Sequence, residues 1–130
     1  MTYEHINSIL VSKIPELKES IEEVTNYWKH ERVPSHVLFA EVFYQNSFMY
    51  NLLSEECNIA IIRKVFDFFE DMANSNDAEV RNLLQVSILE YLWDDLEVLS
   101  RAHKYMHTKT RALSDELQTY LKPSTVEDMA

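Results

Sequence analysis

Two histidines have the spacing of metal ligands. His103 and His107 are four residues apart, so a continuous helix would turn both imidazole rings toward one ion. A zinc peptidase motif requires glutamate directly after the first histidine, and this chain has Lys104 there, whose charge repels a cation. The remaining histidines, which lack ligand spacing, are His5, His30 and His36. We therefore interpret the pair as two solvent-facing histidines near a helix end, and we predict neither a metal site nor a cofactor.

The single cysteine, Cys57, is the next residue that could perform chemistry. A helix N-terminus lowers the pKa of a thiol, and the apolar periodicity starts a helix close to this residue. Glu55 and Glu56 oppose that effect, because their negative charges destabilise a thiolate. We interpret Cys57 as a small apolar side chain, not as a nucleophile. Since one cysteine cannot form an internal disulfide, we expect a cytoplasmic location.

The carboxylates form the most informative pattern. Asp67, Glu70 and Asp71 share one side of a predicted helix, and Glu90 and Asp94 are four residues apart near the end of the next one. Carboxylates perform acid–base catalysis only when a cleft desolvates them, and these have polar neighbours. They fit better either a solvated acidic face or a surface that docks a basic protein. The candidate partner-binding residues are Asp67, Glu70, Asp71, Glu90, Tyr91, Trp93, Asp94, Asp95 and Glu97.

A short loop joins the two predicted helices that contain these acids. We expect the helices to pack antiparallel, which would separate the acids into two patches, one toward each end of the pair. An aromatic side chain at the rim of an acidic patch would serve as an anchor for a partner. Tyr91, Trp93 and Tyr105 are the candidates for that role, although a structural role is the favoured interpretation for each of them.

The chain contains no glycine, which excludes several kinds of site. Glycine supplies the backbone conformations with positive φ that phosphate-binding loops and serine nucleophile elbows require. Tight β-hairpins also lose their preferred turn residue. The composition therefore indicates helices joined by Asn, Asp, Ser and Pro, and it argues against many classes of enzyme.

The charge balance indicates the kind of partner. The 130 residues have a formal net charge of −10, and the stretch from Glu55 to Ser100 has eleven acids against three bases. Such a surface repels nucleic acid and anionic membranes and favours a basic protein. The apolar runs are too short to span a membrane. We predict one domain over residues 1–122 with a flexible tail over 123–130, monomeric when free.

The apolar periodicity predicts seven helices. They cover about residues 3–13, 15–28, 35–54, 56–73 and 77–93, followed by a short helix that starts at Asp94-Asp95 and a last one after His107 or Thr108 that Pro123 ends. The third is apolar around most of its circumference, which indicates a central, buried helix. Asn76 and Glu79 have the spacing of a capping box at the start of the fifth. The expected fold class is all-α, with antiparallel helix pairs in a HEAT-like, α-solenoid-like or irregular bundle arrangement.

Two resemblances support these expectations. The segment Asp77-Ala-Glu-Val-Arg-Asn-Leu-Leu resembles the second helix of a HEAT-type repeat. The stretch from Phe66 to Leu121 resembles a family of small, acidic, all-helical bacterial proteins of toxin–immunity loci. The resemblance rests on Phe68-Phe-Glu, Glu79-Val-Arg-Asn-Leu-Leu, Ser87-Ile-Leu-Glu, Arg101-Ala-His-Lys-Tyr-Met and Lys109-Thr-Arg-Ala-Leu. Where that pattern has Gly-Pro after Tyr-Met, this chain has His107-Thr108. The resemblance implies an immunity role.

Three functional hypotheses follow. The leading one is a non-enzymatic immunity protein that covers the active site of a basic toxin domain, most simply a nuclease, with its acidic surface. The second is a HEAT-like scaffold or adaptor that binds a peptide or a partner helix in a groove lined by Phe39, Phe43, Tyr44 and Tyr50. The third, which we rank below both, is a helical enzyme in which clustered carboxylates hold a metal.

Overall fold

The computed structural model describes residues 1–29, 31–45, 47–54 and 58–119, and the regular elements in these ranges are helical. The α-helices are α1 (Ile6–Lys13), α2 (Lys18–Trp28), α3 (Ser35–Ala40), α4 (Phe48–Leu52), α5 (Ile59–Ala73), α6 (Ala78–Leu84), α7 (Glu90–Leu92), α8 (Leu96–His103) and α9 (Thr108–Glu116). Short 3-10 turns, Tyr3–His5 and Pro15–Leu17, lead into α1 and α2. Two π-helical turns, Glu41–Gln45 and Gln85–Leu89, extend α3 and join α6 to α7. The predicted all-α fold class is confirmed.

Short polar side chains begin several of these helices. Asn58 caps α5, Asp77 caps α6 and Asp95 caps α8, each through a side-chain oxygen that accepts a hydrogen bond from a backbone N–H of the first turn. Such acceptors satisfy donors that have no partner within the helix. The expectation that Asn, Asp and Ser replace glycine at the helix junctions is therefore confirmed at these three positions.

The start of α6 differs by one residue from the predicted capping box. Asp77, not Asn76, is the N-cap, and its carboxylate accepts from the backbone N–H of Glu79 at 2.9 Å. Its second oxygen accepts from the backbone N–H of Tyr3 at 2.8 Å, which holds the N-terminus of the chain against α6. The bond from Tyr3, followed by that from Glu79, lowers the pKa of Asp77 below its ordinary value of 3.8. A contact so distant in sequence leaves no local signal, which explains the error.

The predicted continuous helix over residues 35–54 is wrong. The helical path of α3 continues through the π turn to Gln45, and α4 then begins at Phe48. Ser47, between them, has left-handed backbone angles, φ 59° and ψ 20°. Lys29, at the end of α2, also has a φ of 59°. Because the chain has no glycine, other residues must adopt positive φ where a turn requires it. For those residues this conformation costs about 1 kcal/mol or more.

Phenylalanine rings form the centre of the core. The rings of Phe39, Phe43, Phe66, Phe68 and Phe69 are almost completely buried. Phe43 lies among three other phenylalanine rings: its ring centroid is 5.9 Å from that of Phe39, 5.4 Å from that of Phe69 and 5.9 Å from that of the half-buried Phe48. The apolar third helical segment was predicted to be central, and in this respect the prediction is confirmed.

The packing order places α5 and the π turn Gln85–Leu89 at the middle of the domain. α5 packs against α6 and α9, while the π turn packs against α3 and α9. α1 contacts α3, and α2 contacts the π turn Glu41–Gln45. Within the described residues, no helix combines the length and the apolar character needed to cross a bilayer.

Some sequence predictions fall on residues outside the described ranges. These are the interpretation of Cys57, the end of the last helix at Pro123 and the tail over residues 123–130. The division into a domain of 1–122 and a tail therefore stays a prediction.

Candidate partner-binding surface

The second predicted acidic group occupies α7, the turn after it and the start of α8. Glu90 begins α7, Asp94 lies in the turn, and Asp95 and Glu97 are at the N-terminus of α8. Asp94, Asp95 and Glu97 are exposed, and Glu90 is half-buried. Asp95 has a structural role in addition, because its Oδ1 accepts from the backbone N–H groups of Glu97 and Val98 at 3.1 and 3.3 Å. Negative charge here also complements the positive end of the α8 dipole.

Three tyrosines form a contiguous group beside these acids, and we call Tyr44, Tyr50 and Tyr91 the tyrosine cluster. The ring of Tyr91 stacks on that of Tyr44 with centroids 4.8 Å apart and planes at 27°. Tyr50 meets Tyr44 edge-on at 6.0 Å and 68°. Tyr50 and Tyr91 are 38% and 39% exposed, so the cluster presents aromatic surface to solvent.

Tyr44 anchors the cluster to the rest of the fold. It belongs to the π turn Glu41–Gln45, and its hydroxyl donates a 2.7 Å hydrogen bond to the carbonyl of Ile88 in the π turn Gln85–Leu89. The two π turns are thereby joined by one side chain. Turns of this kind occur frequently at functional sites. Tyr44 is therefore a fixed platform on which the more exposed ring of Tyr91 rests.

Asp94 lies close enough to the tyrosine cluster for its charge to affect the pKa of Tyr44. Burial raises the pKa of Tyr44 well above 10.0, and the neighbouring Tyr50, Asp94 and Tyr91 add to the increase. Within the part of the chain that the structure describes, neither Glu90 nor Asp94 forms an ion pair. Their charges are not neutralised internally, which leaves them free to attract a basic partner.

Glu97 and Trp93 are engaged inside the molecule. Glu97 Oε1 forms a 2.9 Å ion pair with Arg101 Nη2, one turn along α8. Trp93 is half-buried, and its indole N–H donates to the carbonyl of Ser114 in α9 at 3.2 Å. Both residues hold this edge of the domain together. Of the three predicted aromatic anchors, Tyr91 is exposed, whereas Trp93 and Tyr105 are half-buried.

The first predicted acidic group, Asp67, Glu70 and Asp71, lies on α5 where α9 begins. Glu70 faces inward: its carboxylate accepts from the backbone N–H of Lys109 at 3.0 Å and from both the N–H and the hydroxyl of Thr110 at 2.9 Å. Asp67 Oδ1 lies 2.8 Å from His107 Nε2, a distance that fits a hydrogen bond or an ion pair. Asp71 is exposed. Two of the three predicted binding acids thus attach α5 to the start of α9.

Glu70 caps α9 from another helix. The N-cap residue of α9, His107, makes no side-chain capping bond, and the first turn of α9 contains no acidic residue. Partial burial raises the pKa of Glu70, but the bonds from Thr110, Lys109 and Asn74 outweigh this and leave it below the ordinary 4.5. The sequence did not indicate this cap, because Thr108 offers a capping side chain of its own at the start of this helix.

The two histidines do not share a helix face as a metal pair would. α8 ends at His103, and His107 precedes α9. His103 is half-buried, its Nε2 lies 3.2 Å from the hydroxyl of Ser114, and burial, assisted by Arg111, lowers its pKa. The expectation of a solvent-facing pair therefore holds for His107 but is wrong for His103. Among the described residues no group of three or more His, Cys, Asp or Glu could hold a metal ion.

The groove expected for a scaffold or adaptor is only partly present. Phe39 and Phe43 have 0% exposure and line no groove, so that part of the prediction is wrong. Tyr44 and Tyr50, which were predicted beside them, do reach the surface, but as part of the tyrosine cluster. The structure therefore places Tyr44 and Tyr50, which belong to the scaffold or adaptor hypothesis, next to acidic residues that belong to the immunity hypothesis. No sequence signal linked Tyr44 to Tyr91.

Most of the chain matches a known protein family. A family model described as "Domain of unknown function (DUF7674)" covers residues 7–122. Neither the curated proteins nor the solved structures contain a match to the chain.

Proposed function

We propose that this chain, which belongs to the DUF7674 family, is an immunity-type protein that binds and neutralises a basic toxin domain. The binding surface consists of the tyrosine cluster together with Glu90 and Asp94. The observation that supports the proposal most directly is the stacking of the exposed Tyr91 on the anchored Tyr44 beside unpaired carboxylates. The chain acts by occlusion, so it needs no catalytic group of its own.

The charge of the chain supports a basic partner. Its net charge is −10, and the acids are concentrated between Glu55 and Ser100. A nuclease is the simplest toxin of this kind, because its cleft must be positive in order to attract a phosphate backbone. An acidic protein can occupy such a cleft in place of the nucleic acid, and complementary potentials increase the rate of encounter.

The charge of the chain favours fast encounter, and the tyrosine cluster favours tight binding. Tyrosine is enriched among the residues that dominate binding energy, because one ring buries a large area and loses little rotamer freedom. Tyr91 is already held by Tyr44, which is itself hydrogen-bonded to Ile88. Less conformational entropy is lost when a preorganised side chain binds.

The charge contribution is tested with the double variant Glu90→Lys, Asp94→Lys. We expect it to associate with the toxin at least about tenfold more slowly at low salt, because the variant repels the basic surface that the wild type attracts. The partner is first captured from the purified products of neighbouring genes and identified by loss of its toxicity on mixing. Association rates are then measured at low and high salt.

The matched control for the charge reversal is Glu19→Lys, Glu23→Lys on α2, which changes the net charge by the same amount at exposed positions. If the control slows association as much as the test variant does, net charge and not this surface is responsible. An association rate that does not depend on the salt concentration would favour the scaffold or adaptor hypothesis. A failure to bind any neighbouring gene product, with no protection in co-expression, would contradict the immunity role itself.

The aromatic contribution is tested with Tyr91→Ala. We expect the toxin to dissociate roughly tenfold faster, a loss of about 1–2 kcal/mol, while the association rate changes little. Tyr27→Ala is the control, because Tyr27 is 84% exposed and lies on α2. Equal dissociation rates for Tyr91→Ala and the wild type would show that the tyrosine cluster is not part of the interface.

A further inference from the structure

A groove with two free cations lies along the N-terminal part of α5, from Ile59 to Asp67. Its lining residues are Ile59, Arg63, Asp67, Lys104, Tyr105 and His107, and its volume is about 390 Å³. Arg63 and Lys104 are exposed, and within the described ranges neither forms an ion pair. Among the residues that the structure describes, two cations therefore face one groove without an internal carboxylate partner, although the chain has a net charge of −10.

The groove is held in shape by contacts between α5 and the segment that follows α8. His107 Nε2 lies 2.8 Å from Asp67 Oδ1, and Glu70 binds the backbone N–H groups of Lys109 and Thr110. The ring of Tyr105 packs against the buried Phe66 with centroids 6.1 Å apart. A ligand would therefore meet a largely preformed site, which reduces the entropy lost on binding.

The lining also has an apolar side. Ile59 is 44% exposed because it is the first residue of α5. Together with the half-buried ring of Tyr105 it offers a surface for a short apolar group. Burial of such a group adds about 25 cal/mol per Å² of apolar area removed from water.

We propose that this groove binds a carboxylate joined to a short apolar group. Arg63 and Lys104 would pair with the carboxylate, and Ile59 and Tyr105 would contact the apolar group. Arg63, Lys104 and Asp67 together give the lining a net charge of +1, which matches the single negative charge of a carboxylate. The volume, near the lower end of ligand sites, fits a small acid or the C-terminal residue of a peptide. This site does not depend on the partner-binding surface.

The test is a titration of the full chain with 3-phenylpropionate, followed by the backbone amide NMR signals. We expect saturable shifts at Ile59, Arg63, Lys104 and Tyr105. The neutral analogue 3-phenylpropionamide should bind at least about tenfold more weakly, because it lacks the charge that both cations recognise. Saturable binding of the amide with equal affinity, or the absence of saturable shifts with the acid, would overturn the proposal.

Single variants identify the groove as the site. Arg63→Gln and Lys104→Gln should each weaken binding of the acid by about tenfold, as expected for the loss of a charge-assisted hydrogen bond. Lys13→Gln removes the same charge at an exposed position on α1 and should leave the affinity unchanged. An equal loss in the control would show nonspecific attraction and contradict the assignment.

A second arm distinguishes the two sources of the carboxylate. The peptide acetyl-Ala-Ala-Phe is titrated with a free C-terminus and with an amidated one. Tighter binding of the free peptide than of 3-phenylpropionate assigns the groove to a peptide C-terminus, and the reverse order assigns it to a small acid. If the amidated peptide binds as tightly as the free one, the carboxylate is not the recognised group and the proposal is wrong.

Discussion

Replacing Glu70 with alanine is expected to lower the free energy of unfolding by about 2–3 kcal/mol. The carboxylate accepts three hydrogen bonds from the first turn of α9, two of them from Thr110. Thr110 is completely buried, so water cannot reach its N–H and hydroxyl groups while the native packing is kept. Leaving buried donors without an acceptor costs more than the net contribution of the bonds themselves. The loss is measured as a shift of the urea midpoint at constant slope.

Two further variants separate the capping role from charge. Asp71→Ala removes an exposed carboxylate from the next position of α5 and should change the stability by no more than about 0.5 kcal/mol. Glu70→Gln retains one acceptor oxygen but presents an amide N–H₂ to one of the donors, so an intermediate loss is expected. Equal stabilities of Glu70→Ala and Asp71→Ala would show that α9 does not depend on this cap.

The contribution of Glu70 depends on pH in a defined direction. Its pKa in the folded protein lies below the ordinary value of 4.5. A carboxylate with a lowered pKa stabilises the fold above its unfolded pKa, and the stabilisation is lost as the pH falls through the folded pKa. The stability difference between the wild type and Glu70→Ala should therefore be full at neutral pH and should shrink once the pH falls below 4.5. A difference that grows on acidification would contradict this assignment.

Phe43→Ala is expected to have the largest effect on stability, a loss of about 3–5 kcal/mol. The ring is 0% exposed and lies among Phe39, Phe48 and Phe69, so its removal leaves a cavity that three large side chains cannot fill without leaving their own positions. A domain of this size has a total stability of only about 5–15 kcal/mol. The measurement is again urea unfolding followed by circular dichroism.

Phe43→Leu keeps the prediction testable if the alanine variant fails to fold. Leucine retains most of the apolar contact, so a loss of about 1–2 kcal/mol is expected. Tyr27→Ala serves as the exposed aromatic control and should be nearly neutral, because Tyr27 is 84% exposed. If Phe43→Leu is as stable as the wild type, the ring is not a central packing element.

Local features of the fold were predictable from the sequence. The apolar periodicity predicted a helix over about residues 56–73, and α5 covers Ile59–Ala73. The carboxylates at 94 and 95 predicted the start of α8, where Asp95 is the N-cap. Both features depend on residues within a few turns of one another. Helical periodicity and capping act over that range, so a single sequence contains them.

The features that the sequence did not indicate arise where residues distant in sequence meet. The carboxylate of Glu70, a predicted partner-binding residue, contacts Thr110, 40 positions away. The predicted helix over 35–54 ends early, and the hydroxyl of Tyr44 instead binds Ile88, 44 positions away. A carboxylate on a helix surface looks the same in a sequence whether it faces solvent or another helix. Only the neighbouring helix decides which of these applies.

By itself, the sequence determined the helical class, the lack of glycine, the acidic charge and the central position of the apolar segment that contains α3. These follow from composition and from interactions within one helix. The tertiary structure alone decided that Tyr91 stacks on Tyr44, that Glu70 caps α9 and that Arg63 and Lys104 face one groove. The physical reason is that such pairings depend on how helices pack in three dimensions. That arrangement results from the burial of the whole core and from no single segment.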